Sequence, residues 1–222
     1  MRSLVVAFFV AISSAAEAQS AAPLRVVGTS ALTARELAYA GAVPATHELT
    51  LNLYAFRDTP WESFQVIQAV RDATPLFAQC GIRLAGAELR LLDGGDPQLR
   101  DLSTPMSRQL VRRLQPEKPA VFFVHDTRNR PEFDGEAFGR GNTKTRPELA
   151  GTVWLTVKTR DLRIALAHEL AHVLMDSAEH SYQPGNLMRE DTAPENSALL
   201  PAQCERMRLN GTANSWLTPV TP

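Results

Sequence analysis

The chain has 222 residues and near-balanced charge, 23 Lys and Arg against 24 Asp and Glu, for a formal net charge of −1. A chain of this length can bury one full core or at most two small lobes. With no basic block, the charge pattern argues against a nucleic-acid or anionic-membrane partner.

Arg2, the apolar run from Leu4 to Ile12 and the small residues ending in Ala16-Glu17-Ala18 have the pattern of a signal peptide, with cleavage before Gln19. The apolar run is too short to span a bilayer. The product is therefore expected to be secreted or periplasmic, without membrane contact after residues 1–18 are removed, and monomeric. Residues 19–46 are Ala-rich and read as an N-terminal arm with one short helix over 31–40. Over 48–56, Leu49, Leu51, Leu53 and Ala55 alternate with Thr50, Asn52 and Tyr54, the period of a strand. Thr59 and Pro60 have the chemistry of a helix start, and helical spacing continues to Gln79, where Cys80-Gly81 ends it.

A second strand is predicted over 82–92, a turn over 93–97, and a helix from Ser103 or Thr104 to Leu114. The continuous apolar run over 120–125 suits a strand inside a sheet. Residues 126–147 form the longest irregular stretch, rich in Arg, Asn, Gly and Pro, with a short edge strand predicted over 136–139. A strand over 150–157 precedes a helix capped by Asp161. A last short helix is predicted over 202–209, and residues 211–222 read as a flexible tail. In an oxidising compartment the only two cysteines, Cys80 and Cys204, are expected to pair.

The helix after Asp161 carries the chemistry, in the run His168-Glu169-Leu170-Ala171-His172. Side chains four apart on a helix share a face, so His168 and His172 can offer imidazole nitrogens to one ion. Glu169 is rotated about 100° away and suits a general base acting on water. The apolar neighbours make unpaired imidazoles costly, which favours a metal over two idle histidines. Catalytic zinc takes three protein ligands. His180 is the first candidate for the third, with Asp176, Glu179, Glu190 and Glu195 as carboxylate alternatives. Asp176, one turn beyond His172, can instead orient that imidazole. Tyr182 is a candidate donor to a tetrahedral oxyanion. His47 and His125 read as ordinary polar residues at strand ends.

Together with His180 and Pro184-Gly185-Asn186-Leu187-Met188, this run resembles the metzincin-like zinc metallopeptidases of the zincin superfamily. The resemblance implies an α+β, zincin-like fold, with a mixed, mostly parallel sheet of four to five strands packed on the active-site helix and a small C-terminal subdomain, over residues 47–210. It also implies zinc on His168, His172 and His180, Glu169 as general base, and Met188 as a floor beneath the metal. Gly135-Glu136-Ala137-Phe138-Gly139 would be the edge strand above the cleft. The sequence departs from the family in two ways: the third His comes eight residues after His172 rather than six, and Met175 stands where the family has glycine. The activity implied is zinc-dependent hydrolysis of peptide or protein substrates. The alternatives are a non-catalytic binding protein on the same scaffold and a zinc amidase acting on cell-wall peptides.

Overall fold

The computed structural model describes residues 22–128 and 139–220. Seven strands form one mixed sheet: β1 (Arg25–Thr33), β2 (His47–Phe56), β3 (Ile82–Asp93), β4 (Ala120–Val124), β5 (Gly139–Asn142), β6 (Thr152–Thr156) and β7 (Thr218–Pro219). The order is β1-β3-β2-β4-β6-β5, and β7 pairs with the start of β2. The pairs β3/β2, β2/β4 and β4/β6 are parallel, while β1 and β5 run antiparallel at the two edges. Four α-helices, α1 (Ser63–Ala78), α2 (Thr104–Leu114), α3 (Leu162–Met175) and α4 (Pro201–Ala213), complete the fold among the described residues. The fold is thus mixed α and β, as read from the sequence, but the sheet is larger than the four to five strands expected.

The central strands are sorted by alternation. Leu51, Leu53 and Ala55 of β2, Val121 and Phe123 of β4, and Val153 and Leu155 of β6 join a core with α1, α3 and α4. Their neighbours Tyr54, Phe56, Phe122 and Trp154 face the other side and pack with Leu110 of α2. Every residue of β4 and β6 is buried, the reason β4 reads as a continuous apolar run. On the α2 side, Tyr54, Phe122 and Trp154 stack in one row across three strands, with ring centroids 5.0 and 4.3 Å apart.

The ends of the chain differ from expectation. Where a helix was predicted over 31–40, β1 runs to Thr33 and a single turn follows, held by Leu37 N–H donating to the Thr33 carbonyl (3.2 Å). The eight residues of β1 paired with β3 outweigh the helix propensity of a few alanines. Helix α1 begins at Ser63 rather than Pro60, because the Thr59 hydroxyl closes a turn on the Phe56 carbonyl (2.6 Å) and Glu62 becomes the cap residue. Over 211–220, where a tail was expected, α4 continues to Ala213, Leu217 is 2% exposed with its N–H donating to the Gly211 carbonyl, and Val220 N–H donates to that of Thr46. Cys80 and Cys204 are joined in a disulfide across 124 residues, fastening the end of α1 to α4. Residues 1–18 lie outside the described residues, as does all of the predicted 136–139 strand except Gly139; the strand observed there is β5.

Candidate metal centre

Asp161 caps α3 by accepting the Ile164 N–H (3.0 Å), and every residue from Ile164 to Met175 is buried. Such a helix, covered on all sides, must satisfy its polar side chains internally. His168 does so through Nδ1, which lies 2.8 Å from the Leu187 carbonyl, and His172 through Nδ1, 2.7 Å from the Ser177 carbonyl. A carbonyl only accepts, so both Nδ1 atoms carry the proton and both Nε2 atoms present lone pairs. Those two lone pairs face each other at 3.0 Å, and His180 Nε2 lies 3.2 Å from that of His172.

Two neutral imidazoles so arranged cannot hydrogen-bond to one another; something positive must sit between them. A proton is disfavoured, because burial pushes both His168 and His172 below the usual imidazole range, His172 to about 3. Burial also lowers His180, though it is more exposed. A metal ion fits. Tetrahedral zinc with Zn–N bonds of about 2.0–2.1 Å sets its nitrogens about 3.3 Å apart, close to the 3.0 and 3.2 Å seen here. Among the described residues, the ligand atoms that converge, all within 4.8 Å of one another, are those of His168, His172 and His180.

The longer spacing to His180 has a local cause. Helix α3 stops at Met175, and the left-handed residue that turns the chain is Asp176 (φ 48°, ψ 50°), one position after the missing glycine. That conformation costs a non-glycine residue about 1–2 kcal/mol, less for Asp than for most. It turns Ser177 back so that its N–H donates to the His172 carbonyl (3.1 Å) while its own carbonyl receives His172 Nδ1. Asp176 is therefore outside the converging set, and the acceptor that orients His172 is a backbone carbonyl. Its carboxylate accepts the Lys144 N–H instead (2.8 Å).

Beyond His180, Ser181 N–H donates to the Met188 carbonyl (2.7 Å), tying the returning chain to the turn over residues 184–188. Met188 is buried, and its N–H is held by Asn186 Oδ1 (2.9 Å). Asn186 and Gln203 of α4 exchange a pair of amide hydrogen bonds at 3.0 and 3.1 Å. The same turn supplies the Leu187 carbonyl that fixes His168. The Leu187 and Ser177 carbonyls went unread in the sequence because backbone acceptors leave no trace in residue identity.

Glu169 is buried on α3, and its Oε2 accepts the Gly141 N–H of β5 (2.5 Å). Strand β5 lies directly on the helix here. A Cβ on Gly141 would meet the Glu169 carbonyl oxygen at 2.4 Å, and one on Gly139 the Glu169 Cγ at 3.2 Å. Two glycines alternating in a short strand are the available sequence signal for such an approach. The remaining carboxylate candidates lie outside the converging group: Glu179 pairs with Arg206 (3.1 Å), and Glu190, whose charge acts on His180, and Glu195 are exposed. Tyr182 is 96% exposed and projects to solvent. His47 and His125 sit at strand ends, beside Thr46 and Asp101 respectively. A surface crevice of about 690 Å³ lies between the N-terminal ends of α1 and α3, while a smaller one of about 260 Å³ touches His180.

No family model matches the chain, and no curated protein matches it. Among solved structures it is similar to metalloproteinase-II from Bacteroides fragilis, with a TM-score of 0.55 and 15% identity over 77% of this chain and 55% of that one. The likeness is one of fold. This chain spans about half the length of that protein (55%). Among the described residues no helix is long and apolar enough to cross a membrane.

Proposed function

We propose that the chain is an exported zinc metallopeptidase, with His168, His172 and His180 holding the ion and Glu169 serving as general base. The observation that carries this reading is the convergence of three Nε2 atoms, two of them locked as lone-pair donors by Nδ1–carbonyl bonds. The metalloproteinase fold and the buried carboxylate next to the histidines support it. Zinc, when bound, would lower the pKa of a coordinated water toward neutrality and polarise the scissile carbonyl. Glu169 takes the proton of the attacking water and returns it to the leaving amine. Gly141 N–H holds its carboxylate in place, and the outer edge of β5 offers backbone groups to an extended peptide. The Cys80–Cys204 bridge supports an oxidising destination.

The deciding experiment measures hydrolysis of labelled casein and of peptidoglycan by the zinc-loaded protein, with and without chelator, alongside zinc stoichiometry of the wild type and of His180→Ala. Chelator-sensitive casein cleavage, with zinc content lowered in the variant, is the expected result. Cleavage of peptidoglycan alone would replace the reading with an amidase. Bound zinc without hydrolysis of either would replace it with a binding protein.

A further inference from the structure

Two carboxylates, Glu169 in α3 and Asp176 at its C-terminal cap, hold the backbone of a rim over the helix, made of β5 and the turn that follows it. Glu169 Oε2 accepts from Gly141 N–H within β5, and Asp176 Oδ1 accepts from Lys144 N–H in the turn just after it (2.8 Å). The Gly141–Lys144 backbone is thus pinned at two points, once to the metal-bearing helix and once to the residue that ends it, with His172 between the two anchoring residues in sequence.

Asp176 is a costly residue for its place. At φ 48° the turn after α3 is made for glycine, and the turn's own bonds, from Asp176 and Ser177 N–H to the His172 carbonyl, use only backbone. The side chain is not needed to make the turn; its carboxylate reaches the rim. We infer that Asp176 is a positioning residue that fixes the distal end of this rim against the metal-bearing helix, and so sets how an extended substrate lies across the histidines. Its effect on turnover rests on the proposed peptidase reading; the rim contact itself does not.

The test compares Asp176→Gly, which suits the left-handed turn but lacks the carboxylate, with Asp176→Asn, which retains a carbonyl oxygen for Lys144 N–H. Hydrogen–deuterium exchange is read at the Lys144 amide, together with zinc stoichiometry and steady-state kinetics on labelled casein. In Asp176→Gly, Lys144 exchange should rise about tenfold or more, with zinc retained and KM raised about fivefold at a kcat within about twofold. Asp176→Asn should restore both protection and KM. Unchanged Lys144 exchange in Asp176→Gly, unchanged KM despite faster exchange, or loss of zinc would each overturn the proposal. A wild type that cleaves nothing defeats the peptidase reading and, with it, the role in substrate alignment, whereas the exchange measurement still judges the rim contact.

Discussion

His172 is held in a state that acid must disrupt. In the folded chain burial and the neighbouring His168 depress its pKa to about 3, against about 6.5 for an ordinary imidazole. As pH falls below about 6.5 the unfolded chain takes up the proton and the folded one does not, so stability is lost from there down toward pH 3. For this residue alone the slope is about 1.4 kcal/mol per pH unit, and His168, shifted in the same direction, adds to it. Chemical denaturation of the metal-free protein between pH 7 and pH 5 should show stability falling on acidification; a flat profile would contradict the buried, neutral pair. Glu169→Gln should retain zinc by elemental analysis yet lower kcat on labelled casein by about 10²–10⁴-fold. At this scale the sequence was informative where side chains do the work: His168, Glu169, His172 and His180 were all read from it, and the structure brings the three imidazoles together. It was silent where backbone does the work, as at the Leu187 and Ser177 carbonyls and at the Lys144 N–H that Asp176 accepts, a partner distant in sequence.

Among the elements, β5 and α3 are the pair on which the site depends. Gly141 has ordinary backbone angles, so the case for glycine is contact rather than conformation: an added methyl meets the Glu169 carbonyl oxygen, a backbone atom that cannot move without the helix. Gly141→Ala should therefore cost about 1–3 kcal/mol, read from denaturant midpoints, and lower activity by displacing the base. A variant as stable and active as the wild type would show that β5 is free to shift. The elements legible in advance were those with a strong internal period. The alternation over β2, the apolar run of β4, the Val153, Leu155 and Val157 spacing around β6, and the cap at Asp161 all announced themselves. Strand β1 did not, because it is exposed along most of its length and its order comes from β3, more than fifty residues further on. The start of α1 was misplaced for a related reason: the hydroxyl of Thr59 had two possible partners, and the Phe56 carbonyl won.

For the molecule as a whole, the disulfide is the covalent fastening between distant parts of the chain. It joins Cys80, at the end of α1, to Cys204 in α4, and the same junction is reinforced by Arg208 on the Cys80 carbonyl (2.8 Å) and Gln79 on that of Ser197 (2.8 Å). Helix α4 in turn caps α3, through Arg206 and Asn210 on the Met175 carbonyl, and holds the Met188 turn through Gln203. Closing a loop of 124 residues is worth about 5 kcal/mol in the chain-entropy limit, and removing such bridges costs about 2–5 kcal/mol in practice. Replacing both cysteines by Ser should lower the melting temperature by about 5–15 °C and weaken zinc retention, whereas an unchanged melting curve would show that packing alone secures α4.

On the proposed peptidase reading, copies of the protein are exposed to one another's activity, and a loose segment is cut before a pinned one. Here Leu217 is sunk into the core, β7 is zipped onto β2, and Val220 is bonded to Thr46. Residues 217–220 are thereby held out of the extended, unpaired form that a protease cleft takes up.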